Sequence, residues 1–401
     1  MKRVLPLTLG SLALGLDAYV VAGILPVVGH DLHTTTSAAG QLVTVFTLSY
    51  GLLSPVFATL LARRPVRMVL LAALAVFTAG NLLSAVAGSF ALLLVSRAVA
   101  GLGAGVYSPM AAAAAAGLVP PERRGRALAL VTAGMTVGAA AGVPLGLTLA
   151  ESTGWRSTMW LITGLGVVAM AGVASLLPAG TPASPPPLRA RLAVLTDRRV
   201  VAVAAVMLLA AAASVGLYTY IAPLMAATLH VTELSHHLWL WGLGGLVGSQ
   251  LVGVLVDAWR DTRALVSVIL GVLGVTLAVF PFVATTGPGA TVALLVWGAL
   301  GWGCLAPQIH RMLALRGADG PLAVSLNSSA LYLGSAVGAG VGGALIGAGL
   351  AVTTLAMLYG AVALTVALLN LFLTPASAAR RPATALPPRG EPACAGRTVS
   401  G

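Results

Sequence analysis

Stretches of about 20 or more apolar residues recur along nearly the whole chain, separated by short polar or turn-forming breaks. A helix needs roughly 20 such residues to cross the hydrocarbon core of a bilayer. Twelve runs qualify, at about 4–28, 38–61, 67–87, 90–118, 126–150, 156–177, 200–227, 236–256, 263–284, 290–313, 322–347 and 351–374. Composition agrees. Only 8% of the 401 residues are charged, against about 25% in a soluble domain, and mean hydropathy is +0.99. So few charges cannot coat a water-facing surface. The expected fold class is an all-α membrane protein with twelve transmembrane helices, arranged as two pseudo-repeated six-helix bundles.

The net charge of +12 would suggest nucleic acid in a soluble protein. Here the basic residues sit in clusters between apolar runs. Of the 22 Lys and Arg residues, 20 fall before the first span or after even-numbered spans; Arg156 falls on the opposite side and Arg97 lies inside a span. The positive-inside rule then places both termini in the cytoplasm of a multi-pass plasma or inner membrane protein. Lys2 and Arg3 ahead of an apolar run resemble a secretory leader. The run of about 25 residues exceeds the usual 7–15-residue leader core, so it reads as an uncleaved first span.

The stretch TPASPPPLRARLAVLTDRR, 181–199, is Pro-rich and basic and divides the spans six and six. The expected organisation is an N-terminal bundle over 1–178, a cytoplasmic linker over 179–199, a C-terminal bundle over 200–375 and a disordered cytoplasmic tail over 376–401. The halves share features at a fixed offset. Gly138, Gly142 and Gly146 in the fifth span recur as Gly334, Gly338 and Gly342 in the eleventh, 196 residues on; Pro109 recurs as Pro307, 198 residues on. Small residues every four positions let helices approach closely, and they suit both static packing and rocking during transport.

Local motifs add to this layout. After the second span the chain reads ATLLARRPVR, 58–67, and after the eighth GVLVDAWRDTR, 253–263. The fourth span carries LLVSRAVAGLGAG, 93–105; the fifth carries GAAAGVPLG, 138–146, with Pro144; the sixth opens on GWRSTMW, 154–160. Together these resemble the major facilitator superfamily, over essentially residues 1–375, and within it bacterial twelve-span drug:proton antiporters and arabinose-type sugar exporters. The resemblance implies alternating access between two halves. It implies gating or conformational roles for Arg63, Arg67, Asp257 and Arg263, and for Gly138, Gly142, Pro144 and Gly146. Ala62 stands where the family's first loop carries an aspartate, which is retained as Asp257 in the second copy.

Asp17, in LGLDAYVVAGILP, is a carboxylate deep inside the first span, ~20 Å from the cytoplasmic edge at 1.5 Å per residue. Arg97 enters from the other side to a similar depth. Intramembrane ionisable residues are costly and are functional by default. Burial favours the neutral acid, and a neighbouring guanidinium favours the carboxylate. An acid balanced between these influences can exchange a proton as water reaches it. Asp17 is therefore the candidate proton-coupling group, with Arg97, which cannot itself deprotonate, as its electrostatic partner. A permanently charged pair and a permanently protonated hydrogen-bond donor are the alternatives for Asp17.

The resemblance implies a cavity lined mainly by the first, fourth, seventh and tenth spans, with help from the second, fifth, eighth and eleventh. Candidate cargo contacts in these spans are Tyr19, Tyr50, Tyr107, Tyr218, Gln250, Trp302, Asn327 and Tyr332, with Phe46, Tyr220, Trp241 and Gln308 beside them. Polar side chains in these spans are expected to face protein or water, Gln250 among them. His30, His33, His230, His236 and His237 read as residues of the outer loops, His310 lies near the inner end of the tenth span, and no spacing suggests a metal site. Cys304 and Cys394 read as free thiols. No nucleotide-binding glycine loop or catalytic constellation is present in the sequence, so neither ATP drive nor an enzyme is expected. The function expected is proton-coupled efflux of small organic, drug-like compounds by a monomer, with the proton gradient as energy source and no cofactor. A sugar, nucleoside or metabolite exporter or an uncoupled facilitator is the alternative, and a non-transporting sensor a further one.

Overall fold

The computed structural model describes residues 1–60, 64–178, 196–230, 234–259, 261–316 and 320–373. The expected linker, apart from its last residues, and the expected tail lie outside them, as does Arg63. Eleven helical stretches among the described residues are long and apolar enough to cross a membrane, and Thr36–Leu60 forms a twelfth helix of 25 residues. In the first half these are α1 (Leu5–Asp31), α2 (Thr36–Leu60), α3 (Val66–Ala85), α4 (Phe90–Gly117), a fifth span of α5 (Arg124–Val137), a π-helical turn (Gly138–Gly142) and α6 (Val143–Thr153), and α7 (Trp155–Leu176). The second half has a seventh span of α8 (Arg198–Tyr218) and α9 (Ile221–Leu229), then α10 (Ser235–Ala258) and α11 (Thr262–Val283). It continues with a tenth span of α12 (Gly287–Gly303) and α13 (Leu305–Arg316), α14 (Gly320–Gly347) and α15 (Val352–Leu373). Both ends of every span lie within three residues of the sequence expectation. What hydropathy did not reveal is that the fifth, seventh and tenth spans are interrupted.

Four helix starts carry side-chain caps. Ser89 Oγ accepts from Leu92 N at 3.3 Å, Asp197 from Arg199 N at 2.9 Å, Asp261 from Arg263 N at 2.9 Å and Thr286 from Gly289 N at 3.3 Å. Each satisfies a backbone donor that a first helical turn leaves open. The sharp turn between α6 and α7 uses Gly154 at φ +91°, where a side chain would be strained.

The two halves repeat one packing scheme. The first span packs on the fifth, the second on the fourth and the third on the sixth; the seventh likewise packs on the eleventh, the eighth on the tenth and the ninth on the twelfth. The glycine repeat explains the first of these pairings. A Cβ on Gly138 would lie 2.1 Å from the carbonyl oxygen of Leu12, and one on Gly334 would lie 2.0 Å from that of Leu208. Both the glycines and the carbonyls are 196 residues apart. Backbone therefore touches backbone at equivalent points, which only glycine permits.

Between halves, α2 packs on α14, and α10 packs on the π turn and α6. Several cross-half contacts crowd the end of the bundle away from the described termini. There Ser37 Oγ donates to the carbonyl of Gly343 at 2.6 Å, and Leu234 N donates to Glu151 Oε1 at 3.2 Å. A Cβ on Gly40 or Gly343 would meet the Tyr220 hydroxyl, which donates to the carbonyl of Ala339 at 2.6 Å.

Gly138→Ala should overpack the first–fifth helix seam at a cost of about 1–3 kcal/mol, lowering the melting temperature of the solubilised protein by several degrees. Gly271→Ala, where an added Cβ has open space, should melt at or above wild type in the same thermal-shift measurement.

Candidate functional site

Asp17 lies near the middle of α1 and is fully buried. Four helices of the first half close on it. Arg97 of α4, 1% exposed, donates from one terminal nitrogen to Asp17 Oδ1 at 2.6 Å and from the other to the Asp17 carbonyl at 3.4 Å. Asn81 of α3 donates to Asp17 Oδ2 at 3.2 Å and accepts from Arg97 at 3.5 Å. Phe46 of α2 lies under the guanidinium, 4.4 Å from ring centroid to carbon, within cation–π range. The charges are thus paired, hydrogen-bonded and closed from water. Asn81 also donates to the Phe77 carbonyl at 3.1 Å, which fixes its amide.

The backbone brings these groups together through small residues. A Cβ on Gly80 would sit 2.5 Å from the backbone nitrogen of Ala100, and one on Gly101 would sit 2.3 Å from the carbonyl oxygen of Phe46. One turn further on, Ser84 and Ser96 share a 2.7 Å hydrogen bond across the α3–α4 seam. Sequence reasoning found Asp17 and Arg97 but missed Asn81. The available signal was an amide alone in the apolar run VFTAGNLLSA.

Tyr19 is two residues beyond Asp17, about 200° around the helix, and it faces the other half. Its ring centroid is 5.8 Å from each of Tyr218, Trp241 and Trp302. Tyr218 and Trp241 stack at 4.2 Å and 28°, and Trp241 meets Trp302 edge-on at 5.6 Å. Elsewhere across the seam, Tyr50 of α2 stacks on Tyr332 of α14 at 3.5 Å. Asn327, on α14, is 1% exposed.

Other sequence candidates are placed differently. Gln250, expected to face inward, is exposed on α10 in a groove with Leu246, Val247, Leu251 and Val254. Periodicity accounts for this: Gln250 falls on the same helical stripe as the exposed Leu243, Val247 and Val254. Tyr107 is fully buried and donates to the Leu7 carbonyl at 3.0 Å, tying α4 to α1. Arg67 donates to the carbonyl of Ala174. Arg263 donates to that of Leu371 at 2.9 Å and pairs with Asp261 at 3.3 Å. Both arginines therefore tether the start of a span to the end of another within their own half. The backbone of Asp257 belongs to α10, and its side chain lies outside the described set.

Gly142 and Gly146 face the side chains of Leu16 and Val20 in looser contact than Gly138, and Pro144 opens α6 after the π turn. Arg311, counted with the loop charges, is instead 4% exposed inside α13; it donates to Asn370 at 3.0 Å and Gln308 at 3.4 Å. His237, expected in a loop, is buried in the first turn of α10 beside His236. The GWR stretch clamps the end away from the termini: Trp155 Nε1 donates to Asp31 at 3.0 Å, and Arg156 pairs with Asp31 at 2.5 Å and donates to the Ala87 carbonyl at 2.9 Å.

Residues 7–316 match the family model described as Major Facilitator Superfamily. The chain is 32% identical over 382 residues to the inner membrane transport protein YdhP of Escherichia coli K12, covering 95% of this chain and 97% of that one. It is 31% identical over 336 residues to a chloramphenicol resistance protein of Streptomyces lividans, covering 81% and 84%. Among solved structures, the partially occluded inward open conformation of the xylose transporter XylE from E. coli superposes with a TM-score of 0.71 at 17% identity, over 94% of this chain and 98% of that one.

Breaking a buried ion pair by removing one partner costs about 3–5 kcal/mol, while replacing both with apolar groups is often nearly neutral. Arg97→Met should therefore lower the chemical-denaturation midpoint sharply, and Asp17→Leu combined with Arg97→Met should recover most of that loss. A double variant no more stable than Arg97→Met would show that Asp17 is not the group Arg97 neutralises.

Proposed function

The chain belongs to the Major Facilitator Superfamily, and from that premise we propose that it exports small organic, drug-like compounds in exchange for protons. The family consists of membrane transporters rather than enzymes, so the chain is a multi-pass membrane transporter. The observation that carries the finer reading is the Asp17–Arg97–Asn81 assembly, an ionisable group at mid-span with every oxygen engaged and no water-facing surface. Such a group must be opened before it can exchange a proton, which links protonation to helix movement.

Protonation removes the charge on which Arg97 rests, and the guanidinium must then find another partner. Asp17 and Tyr19 share one helix and face opposite sides of it. Movement of α1 that frees the acid therefore also moves the ring wall between the halves. This is the physical basis for exchange: cargo among the rings and a proton on the acid place different demands on one helix. With both termini in the cytoplasm, as the charge asymmetry implies, the crowded end is external, and the halves rock about it as a monomer. The likeness to a chloramphenicol resistance protein supports drug-like cargo and outward direction. Retention of one permanent Asp17–Arg97 charge pair through the cycle would instead describe an uncoupled facilitator.

Vesicles holding the purified protein decide between these readings. Under an imposed pH gradient, Asp17→Asn should abolish gradient-driven cargo movement, by at least tenfold in initial rate. Asp17→Glu should retain a measurable fraction. Full gradient-driven transport by Asp17→Asn overturns the coupling role.

A further inference from the structure

Tyr19, Tyr218, Trp241 and Trp302 meet between the halves, with Trp297 behind Tyr218, and the hydrogen-bonding groups of these five rings are not treated alike. Trp297 is fully buried, and its Nε1–H donates to Ser214 Oγ at 3.0 Å. It is a satisfied brace. Trp241, 3% exposed, and Tyr218, 1% exposed, belong to the same aromatic layer. Among the described residues, neither the Trp241 Nε1–H nor the Tyr218 hydroxyl has a hydrogen-bond partner. A buried donor without an acceptor is costly, and two side by side on stacked rings is an arrangement that packing alone does not require. Both rings belong to the wall against which Tyr19, contributed by the first half, rests, 5.8 Å from each of Tyr218, Trp241 and Trp302 between ring centroids.

We propose that Tyr218, Trp241 and Trp302, closed by Tyr19, form a binding site for a flat, uncharged ring compound bearing hydrogen-bond acceptor oxygens. This deepens the transport reading above and rests on it for the site's access from either side. The stacked pair offers a flat aromatic face, so a planar ring that enters beside it exchanges one ring contact for another of similar strength. What it adds is an acceptor for two buried donors. That gain selects carbonyl, nitro or ether oxygens over a bare hydrocarbon. A cation would gain from the ring faces, but it would leave both donors unsatisfied and would find no free carboxylate, since Asp17, two residues from Tyr19, is already paired with Arg97.

Equilibrium binding to the full chain in lipid nanodiscs tests this with three probes: 7-methoxycoumarin, naphthalene and tetraphenylphosphonium. Wild type should bind the coumarin best. Tyr218→Phe, which keeps the ring and removes its donor, should weaken coumarin binding about three- to tenfold and leave naphthalene binding unchanged. Trp241→Phe, which removes the donor and also shrinks the ring, should weaken coumarin binding more than naphthalene binding. Retained naphthalene binding also verifies that the variants are folded. Absence of coumarin binding, equal loss for coumarin and naphthalene, or tightest binding of the phosphonium would each overturn the proposal. Asp17→Asn separates the two readings. The donor-dependent coumarin pattern there upholds the site whether or not gradient-driven transport survives, and its absence in wild type overturns the site even where coupling holds.

Discussion

A bilayer offers no partner for a peptide N–H or C=O, so each must be satisfied inside its own helix. That requirement fixes the architecture before any particular side chain matters. Once the chain is a set of helices, lipid supplies no hydrophobic drive to join them, and association rests on close packing and a few polar contacts. The abundance of glycine is the response. Gly138 against Leu12 and Gly334 against Leu208 bring backbones to contact distance, and the same seam recurs in both halves because the sequence recurs.

Close packing also makes the polar assembly at Asp17 possible. Asn81 of α3 and Arg97 of α4 must come within hydrogen-bond reach of the α1 carboxylate while Phe46 of α2 closes on the guanidinium, and Gly80 and Gly101 remove the bulk that would hold α3, α4 and α2 apart. The charges are kept at mid-span by mutual satisfaction rather than by solvent. Arg311 in the second half follows a different rule: among the contacts described here it leans on the neutral amides of Gln308 and Asn370. The halves repeat in topology and glycine placement, and they differ in where they store polarity.

The span pattern was legible in the sequence because hydropathy is an average over many residues, and small errors cancel. Asp17 and Arg97 were legible because a charge in an apolar run stands out. Gln250 was not, since a single polar residue does not say which side of α10 it occupies; only the stripe shared with Leu243, Val247 and Val254 does so. Asn81 escaped because one amide among apolar residues carries little weight without the carboxylate it supports. The breaks at the π turn, near Thr219 and near Cys304 are backbone events that hydropathy cannot register. The partner Asp31 of the GWR stretch lies over a hundred residues away, beyond the reach of any local pattern.

The first half is cross-tied at both ends. Arg67 fastens α3 to the last turn of α7 at one, and Asp31, Trp155, Arg156 and Ala87 lash three connections at the other. A frame braced at top and bottom resists shear. Under the proposed exchange, a displacement that begins at its centre, where Asp17 sits, is then not absorbed by internal flexing but is delivered to the seam with the opposite half, as a stiff lever delivers torque to its fulcrum.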